Sequence, residues 1–248
     1  MKLPRLRRPK LFEVIRYNYL FKRHASGMLL SSSCFEGKSI LVAGPARTLG
    51  EDLASFRSDD FDVVIKMNNG IWLPIPFGDG DSHRCDVLFH SLTQDILPPT
   101  REVLDDAGVR CLVHRTTGKG RFPLTLDALR SLGSNERSVK IVPPARYKAL
   151  SEELGGASPT TGLVCLDFLL GCNSARTVVA GFTFFQTKYQ AGYDDRDVND
   201  DDSKSRVQSL GHHNPERERA LVRKLIDNAE RSGRKVELCG AVDAALNS

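Results

Sequence analysis

Short apolar runs alternate with stretches of 3.6-residue periodicity along most of the chain. Ser39-Ile40-Leu41-Val42-Ala43 is continuous enough to form a strand buried on both faces, and it stops at Gly44. The small-residue turn Pro45-Ala46-Arg47-Thr48-Leu49-Gly50 follows, and a helix is expected over 51–57. Phe61–Met67 predicts a second strand, closed by Asn68-Asn69-Gly70, and further strands are expected at 86–90, 110–114 and 139–142. The apolar stretch 161–171 predicts a helix, 176–180 a strand ending at Gly181, and 235–239 a last strand. Pro215 suits a first helical turn, and Leu221, Val222, Leu225 and Ile226 share one stripe, so a helix is expected over 215–231. Strands and helices in alternation predict an α/β fold with a single doubly wound, mostly parallel, Rossmann-like sheet. Such sheets bind ligands beyond the carboxyl ends of their strands. That rule singles out Gly44–Thr48, Asn68–Gly70, His90–Thr93 and Phe182–Tyr193.

The pattern before Lys38 is different. Leu11, Val14, Tyr17 and Phe21 recur at helical spacing with Arg16 and Arg23 opposite, while Asn18 interrupts the stripe and Phe12, Ile15 and Leu20 lie off it. The first 24 residues hold eight Lys or Arg against one acid, a net +7, which leaves −3 for the rest of a chain whose total is +4. The expected organisation is a basic N-terminal arm with an amphipathic helix over 1–34 and one domain over 35–248. A basic amphipathic helix suits an anionic membrane surface, where each Lys or Arg contributes about 1 kcal/mol. A solvated tail leading into an ordinary packed helix has the same composition. Nucleic acid is not an expected partner, because +4 over 248 residues is a weak field and the arm matches no reading module.

Length permits one substantial core, with roughly 70–75% of the unfolded chain's surface buried. No stretch reaches the roughly 20 apolar residues that span a bilayer, since Asp167 interrupts 162–172 and 177–185 is short. Glu13 and Arg16 break up the apolar region that a signal peptide needs. A cytoplasmic location is therefore expected, with attachment at the inner face of the membrane if the arm docks. The six cysteines show neither C-x-x-C nor zinc spacing and are expected as free thiols.

Candidate chemistry is sparse. The Gly44–Gly50 turn suits a phosphate at a helix N-terminus, although it is neither G-x-G-x-x-G nor a P-loop. Asp79-Gly80-Asp81 and Asp195-Arg196-Asp197 are D-x-D patterns, the kind that hold a divalent cation on a sugar diphosphate. The stretch 191–205 carries six Asp and reads as a surface loop or lid. His212-His213 stands just before the helix at Pro215, where an imidazole suits general-base work.

Three stretches together resemble the sialyltransferases, both the animal-type family with its sialyl motifs and the small bacterial family of related fold. Ile40–Thr48 followed by Asp59-Asp60-Phe61-Asp62-Val63-Val64-Ile65-Lys66-Met67-Asn68 is similar to the long sialyl motif, with Lys66 where the family has Arg. Pro159-Thr160-Thr161-Gly162, its apolar helix and Val178-Val179-Ala180-Gly181-Phe182 resemble the short motif. His213-Asn214-Pro215-Glu216-Arg217-Glu218 has the H-x-x-x-x-E spacing.

The resemblance implies a GT-A-like sialyltransferase variant of the Rossmann-like fold, with 35–248 as the catalytic domain. The implied activity is metal-independent, inverting transfer of sialic acid or Kdo from a CMP-activated donor to a glycan or glycolipid acceptor. No cofactor or metal is implied. Gly44, Ala46, Thr48, Asn68 and Asn69 are then expected at the nucleotide, ribose or phosphate. Thr160, Thr161 and Gly162 fall at the donor's sugar or carboxylate, and Gly181 and Phe182 beneath the base. His213 is the expected base, with His212 assisting at the phosphate and Glu218 completing the motif; the bacterial family's Gly-His pattern selects His212 instead. Phe185 stands nearest the bacterial family's paired tyrosines, so Tyr189 or Tyr193 is left to offer a hydroxyl to the phosphate. Cys172 matches a short-motif cysteine, but Ser39 replaces its partner, so the family's disulfide is not expected. The alternatives are a non-catalytic nucleotide-sugar binder of this fold and a metal-dependent D-x-D transferase.

Overall fold

The computed structural model describes residues 11–93, 96–115, 118, 120–194, 200 and 214–248. Seven strands form one sheet: β1 (Ser39–Ala43), β2 (Val63–Met67), β5 (Val87–His90), β6 (Cys111–His114), β7 (Ser138–Ile141), β8 (Arg176–Ala180) and β9 (Val236–Leu238). Their order is β7-β6-β5-β2-β1-β8-β9, and every neighbouring pair is parallel. A small antiparallel hairpin, β3 (Ile75–Phe77) with β4 (Gly80–Ser82), stands apart.

Apolar residues on both faces of the five central strands explain the double winding. Ile40, Val42, Ile65, Phe89, Val113 and Val179 point to one core, shared with α5 (Pro144–Glu153), α6 (Thr161–Leu170), α7 (Pro215–Arg231) and α8 (Gly240–Asn247). Their alternate neighbours Leu41, Val64, Leu88, Leu112 and Val178 point the other way. There they meet α2 (Leu49–Asp52), α3 (Arg101–Asp106) and α4 (Phe122–Leu132). This period-two division is what a parallel strand covered on both faces requires.

The helix expected at 51–57 is a single turn, because the chain leaves helical geometry at Leu53. Helices α3, α4, α5 and α8 were not anticipated. In α5, only Leu150 is buried among ten residues, so its periodicity is faint. Lys66 is buried within β2, with Nζ donating to the carbonyls of Leu73 and His83 at 2.7 and 3.2 Å. Burial draws its pKa down to about 8. It fastens the hairpin segment to the sheet.

Helix α1 (Leu11–His24) packs with two members of the expected stripe, Tyr17 and Phe21, together with Leu20, while Val14 of that stripe is exposed. Tyr17, Leu20 and Phe21 turn inward, and Phe21 meets Phe122 of α4 edge-on at 5.2 Å. Phe12, Ile15 and Tyr19 form an outward apolar line, 86%, 57% and 57% exposed. Beyond α1, Ala25, Met28, Leu30 and Phe35 are all buried. The Leu30 amide donates to the carbonyl of Ile141 at 2.9 Å, joining this stretch to the edge of the sheet at the carboxyl end of β7. Among the described residues no helix is long and apolar enough to cross a membrane, and all six cysteines are free thiols.

Candidate functional site

The strand order reverses direction at β1, where β8 lies on one side and β2 on the other. A cleft of about 590 Å³ opens beyond the carboxyl ends of these strands, where a doubly wound sheet places its ligand.

Two glycines make the floor at this switch point. A Cβ on Gly44 would lie 2.2 Å from the carbonyl oxygen of Gly181, and one on Gly181 would lie 2.7 Å from that of Gly44. Gly181 also has φ +69°, a conformation that favours glycine. Its amide donates to the buried carboxylate of Asp52 at 2.8 Å, and the other oxygen of Asp52 accepts from the Ala241 amide at 2.9 Å. Ala46 donates its amide to Gly181 O at 3.0 Å, so the turn after β1 is seated on the turn after β8. Phe182 then lies against Gly162, where an added Cβ would be 2.8 Å from its ring.

Asn68 joins four segments. It sits at φ +47°, which Asn tolerates better than most residues, at the end of β2. Its amide nitrogen donates to Thr161 Oγ1 at 3.1 Å, and its oxygen accepts the Ser91 amide at 3.0 Å. The buried phenol of Tyr193 hydrogen-bonds to the same side chain, and burial pushes its pKa up. Asn69 donates to the Tyr193 carbonyl at 2.8 Å. The rings of Tyr189 and Tyr193 lie 4.7 Å apart, and Phe185 meets Tyr189 at 6.2 Å, so an aromatic wall closes one side. Phe184 and Phe185 both have positive φ, at 49° and 65°, strain concentrated at the cleft wall.

The opposite side is polar. Thr160 caps α6, its Oγ1 accepting the Leu163 amide at 3.1 Å. Glu218, on the first turn of α7, holds that cap with both oxygens: Oε1 accepts the Thr160 amide at 2.9 Å and Oε2 the Thr160 hydroxyl at 2.6 Å. Burial pushes the Glu218 pKa up to about 7. Arg115, just past β6, donates Nη1 to the Pro159 carbonyl at 2.6 Å, and its guanidinium carbon is 6.0 Å from the Tyr147 ring centroid.

Ala46, Asn68, Asn69, Thr160, Thr161, Gly162, Gly181, Phe182, Tyr189, Tyr193 and Glu218 all line this one cleft. Gly44 lies behind it, against a smaller pocket. Thr48 does not line it: Thr48 opens α2, and its hydroxyl is buried with no hydrogen-bond partner among the described residues. His212, His213, Asp195 and Asp197 lie outside the described residues. Asp79 and Asp81 belong to the β3–β4 hairpin and its turn, away from the cleft, and Asp79 pairs with Arg57 at 3.3 Å. Among the described residues no group of three His, Cys, Asp or Glu side chains is arranged to hold a metal.

Thr93, Phe184 and Thr187 line the cleft within the strand-end segments expected from the sequence, whereas Arg115, in a connection without a recognisable motif, was missed. Two histidines at the strand ends, His90 and His114, are register partners and fully buried. His114 Nδ1 bonds Thr125 Oγ1 at 2.7 Å, and burial lowers its pKa to about 3, so it stays neutral near pH 7.

No family model matches this sequence, and no curated protein matches it. Solved structures do match. A mammalian sialyltransferase in complex with Gal-beta-1-3GalNAc-ortho-nitrophenol aligns over 94% of this chain and 80% of its own, with a TM-score of 0.55 at 17% identity. A second mammalian sialyltransferase structure aligns over the same shares, with a TM-score of 0.52 at 14% identity. A variant of the sialyltransferase Cst-II in complex with CMP aligns over 82% of this chain and 81% of its own, with a TM-score of 0.51 at 12% identity. With its parallel seven-stranded sheet and the cleft at its switch point, the chain has the fold of the sialyltransferases.

Proposed function

We propose that the chain is a glycosyltransferase that moves a keto-sugar, sialic acid or Kdo, from a CMP-activated donor to the hydroxyl of a glycan or glycolipid. The observation that carries this reading is the convergence of three separate sequence stretches, around Asn68, Thr160–Gly162 and Gly181–Phe182, on one cleft. Cytidine lies against the Gly44–Gly181 floor and Phe182, with Ala46, Asn68 and Asn69 toward ribose and phosphate. The sugar lies toward Thr160, Thr161 and Gly162, at the start of α6. Tyr189 or Tyr193 offers its hydroxyl to the leaving phosphate, and the phenol of Tyr193 is held in place by Asn68.

The acceptor oxygen attacks the anomeric carbon as the bond from that carbon to the phosphate oxygen breaks. The electron pair leaves with CMP, the configuration inverts, and the acceptor's proton passes to His213, with His212 beside the phosphate. Glu218 supports this placement, because it follows His213 at the H-x-x-x-x-E spacing and lines the cleft. Hydrogen bonds to the leaving phosphate serve where other transferases use a cation, so no metal is required.

CMP release from CMP-sialic acid and CMP-Kdo, with an acceptor and with or without EDTA, tests the reading. Release that persists in EDTA and is lost in His213→Ala with CMP binding retained supports it. Loss only in His212→Ala moves the base. Release that needs a divalent cation favours the D-x-D alternative, and binding without turnover favours a nucleotide-sugar binder.

The membrane reading of the arm attaches to a different surface from the one expected. The outward line Phe12, Ile15 and Tyr19, flanked by exposed Arg16, Lys22 and Arg23, suits an anionic bilayer. On this reading the protein works peripherally at the inner membrane face. Flotation with phosphatidylserine vesicles checks it: the wild type floats, and Phe12→Ser/Ile15→Ser does not.

A further inference from the structure

Arg115 carries the one positive charge among the described residues that line the cleft. Its position is fixed from two sides. Nη1 donates to the carbonyl of Pro159 at 2.6 Å and reaches the Tyr147 hydroxyl at 3.4 Å, with the guanidinium beside the Tyr147 ring. Pro159 immediately precedes the cap of α6, so the cation stands next to Thr160 and Thr161 rather than at the Gly44–Gly181 floor. Ser91 and Thr93, whose hydroxyls lie 2.7 Å apart, line the same end of the cleft. The other charged residues described in the lining are acids, Asp194 and Glu218; the carboxylate of Glu218 is held by Thr160 and is also within electrostatic reach of Arg115.

This arrangement bears on which sugar is chosen. A nucleotide donor brings a phosphate on one side of the anomeric carbon. An ordinary aldose puts only hydrogen and hydroxyls on the other, whereas a keto-acid sugar puts a carboxylate directly on that carbon. A planar guanidinium with several N–H donors matches a carboxylate in shape and charge, and a half-buried setting strengthens the pairing. We infer that Arg115 is a specificity residue through which the cleft selects a sugar bearing a carboxylate, with Ser91 and Thr93 completing that end. The inference rests on the CMP-sugar reading above and adds to it a residue that no motif contains.

The test compares ligands that share cytidine: CMP, a C3-fluorinated CMP-sialic acid that does not turn over, and the methyl ester of that analogue. Wild-type protein is expected to bind the acid at least about tenfold more tightly than the ester, a preference that shrinks with added salt. Arg115→Met is expected to bring the acid-to-ester ratio near one while CMP affinity stays within about twofold; Arg115→Lys keeps part of the preference. Unfolding midpoints of both variants are measured alongside, and the wild-type acid-to-ester ratio is a readout that needs no variant. An undiminished preference in Arg115→Met, equal weakening of CMP and the acid, or no wild-type preference overturns the inference alone. A wild-type chain that binds none of the three ligands overturns the CMP-sugar reading and this inference with it.

Discussion

The two ends of the cleft are built on opposite plans. At the Gly44–Gly181 end, the site is made by backbone and by missing side chains. Two turns nest so closely that a Cβ on Gly44 would sit 2.2 Å from a carbonyl oxygen. At the Thr160–Glu218 end, side chains make the site: a buried carboxylate, a helix-capping hydroxyl, the Asn68 amide and the Arg115 cation. The first end has no give, because a backbone contact cannot rotate away. The second tolerates replacement by shape and hydrogen-bonding capacity, but it holds groups that titrate. Steric change should therefore dominate at one end, and protonation at the other.

The largest effect is expected from Gly44→Ala. The new methyl must push the two turns apart, at a cost of about 3 kcal/mol or more in urea unfolding. Cytidine binding should go with it. A loss below about 1 kcal/mol would mean that the floor yields.

Next comes Glu218→Ala, which leaves the amide and hydroxyl of Thr160 without their carboxylate in a buried place, at about 2–3 kcal/mol. Glu218→Gln separates shape from charge. The pKa of Glu218 rises from 4.5 to about 7 on folding, so the native state binds a proton that the unfolded chain releases. That stabilisation is full below about pH 4.5 and lost as pH rises through about 7, a span on the order of 3 kcal/mol. Wild-type stability should fall across this window, and Glu218→Gln should flatten the slope there. An unchanged slope in the variant would assign the pH dependence to another group.

Thr160→Ala, which removes the α6 cap, should cost about 1 kcal/mol beyond any loss of the Glu218 contact, and Thr160→Ser should restore it. The smallest effect belongs to Arg47→Ala. Its pairing with Asp200 at 3.1 Å is half exposed, and unfolding should shift by about 0.5 kcal/mol or less.

The same contrast explains what could be read from the chain. Strands β1, β2, β5, β6 and β8 and helices α6 and α7 were legible because continuous apolar runs and a strong stripe announce burial. The one-turn α2 and the charge-rich α5 carry little periodicity, and they were misread or missed. At the site, the glycine end was visible as strand-turn punctuation, and Asn68 and Thr160–Gly162 as motif residues. Arg115 and Asp52 were not, because their roles depend on partners 44 and 129 residues away in sequence. Thr48 shows the converse: it sits inside a readable turn, yet the one-turn helix it starts carries it away from the cleft. On α1, sequence periodicity found the helix and, in Tyr17 and Phe21, part of its packed face, but not the partner, since Phe21 and Phe122 come together only in the fold.

Calorimetric titration of the wild-type chain with CMP asks whether this cleft is a cytidine nucleotide site. One saturable site per chain is expected, preferring CMP over AMP and lost in Gly44→Ala. Absence of saturable CMP binding, or equal binding of AMP, would contradict it.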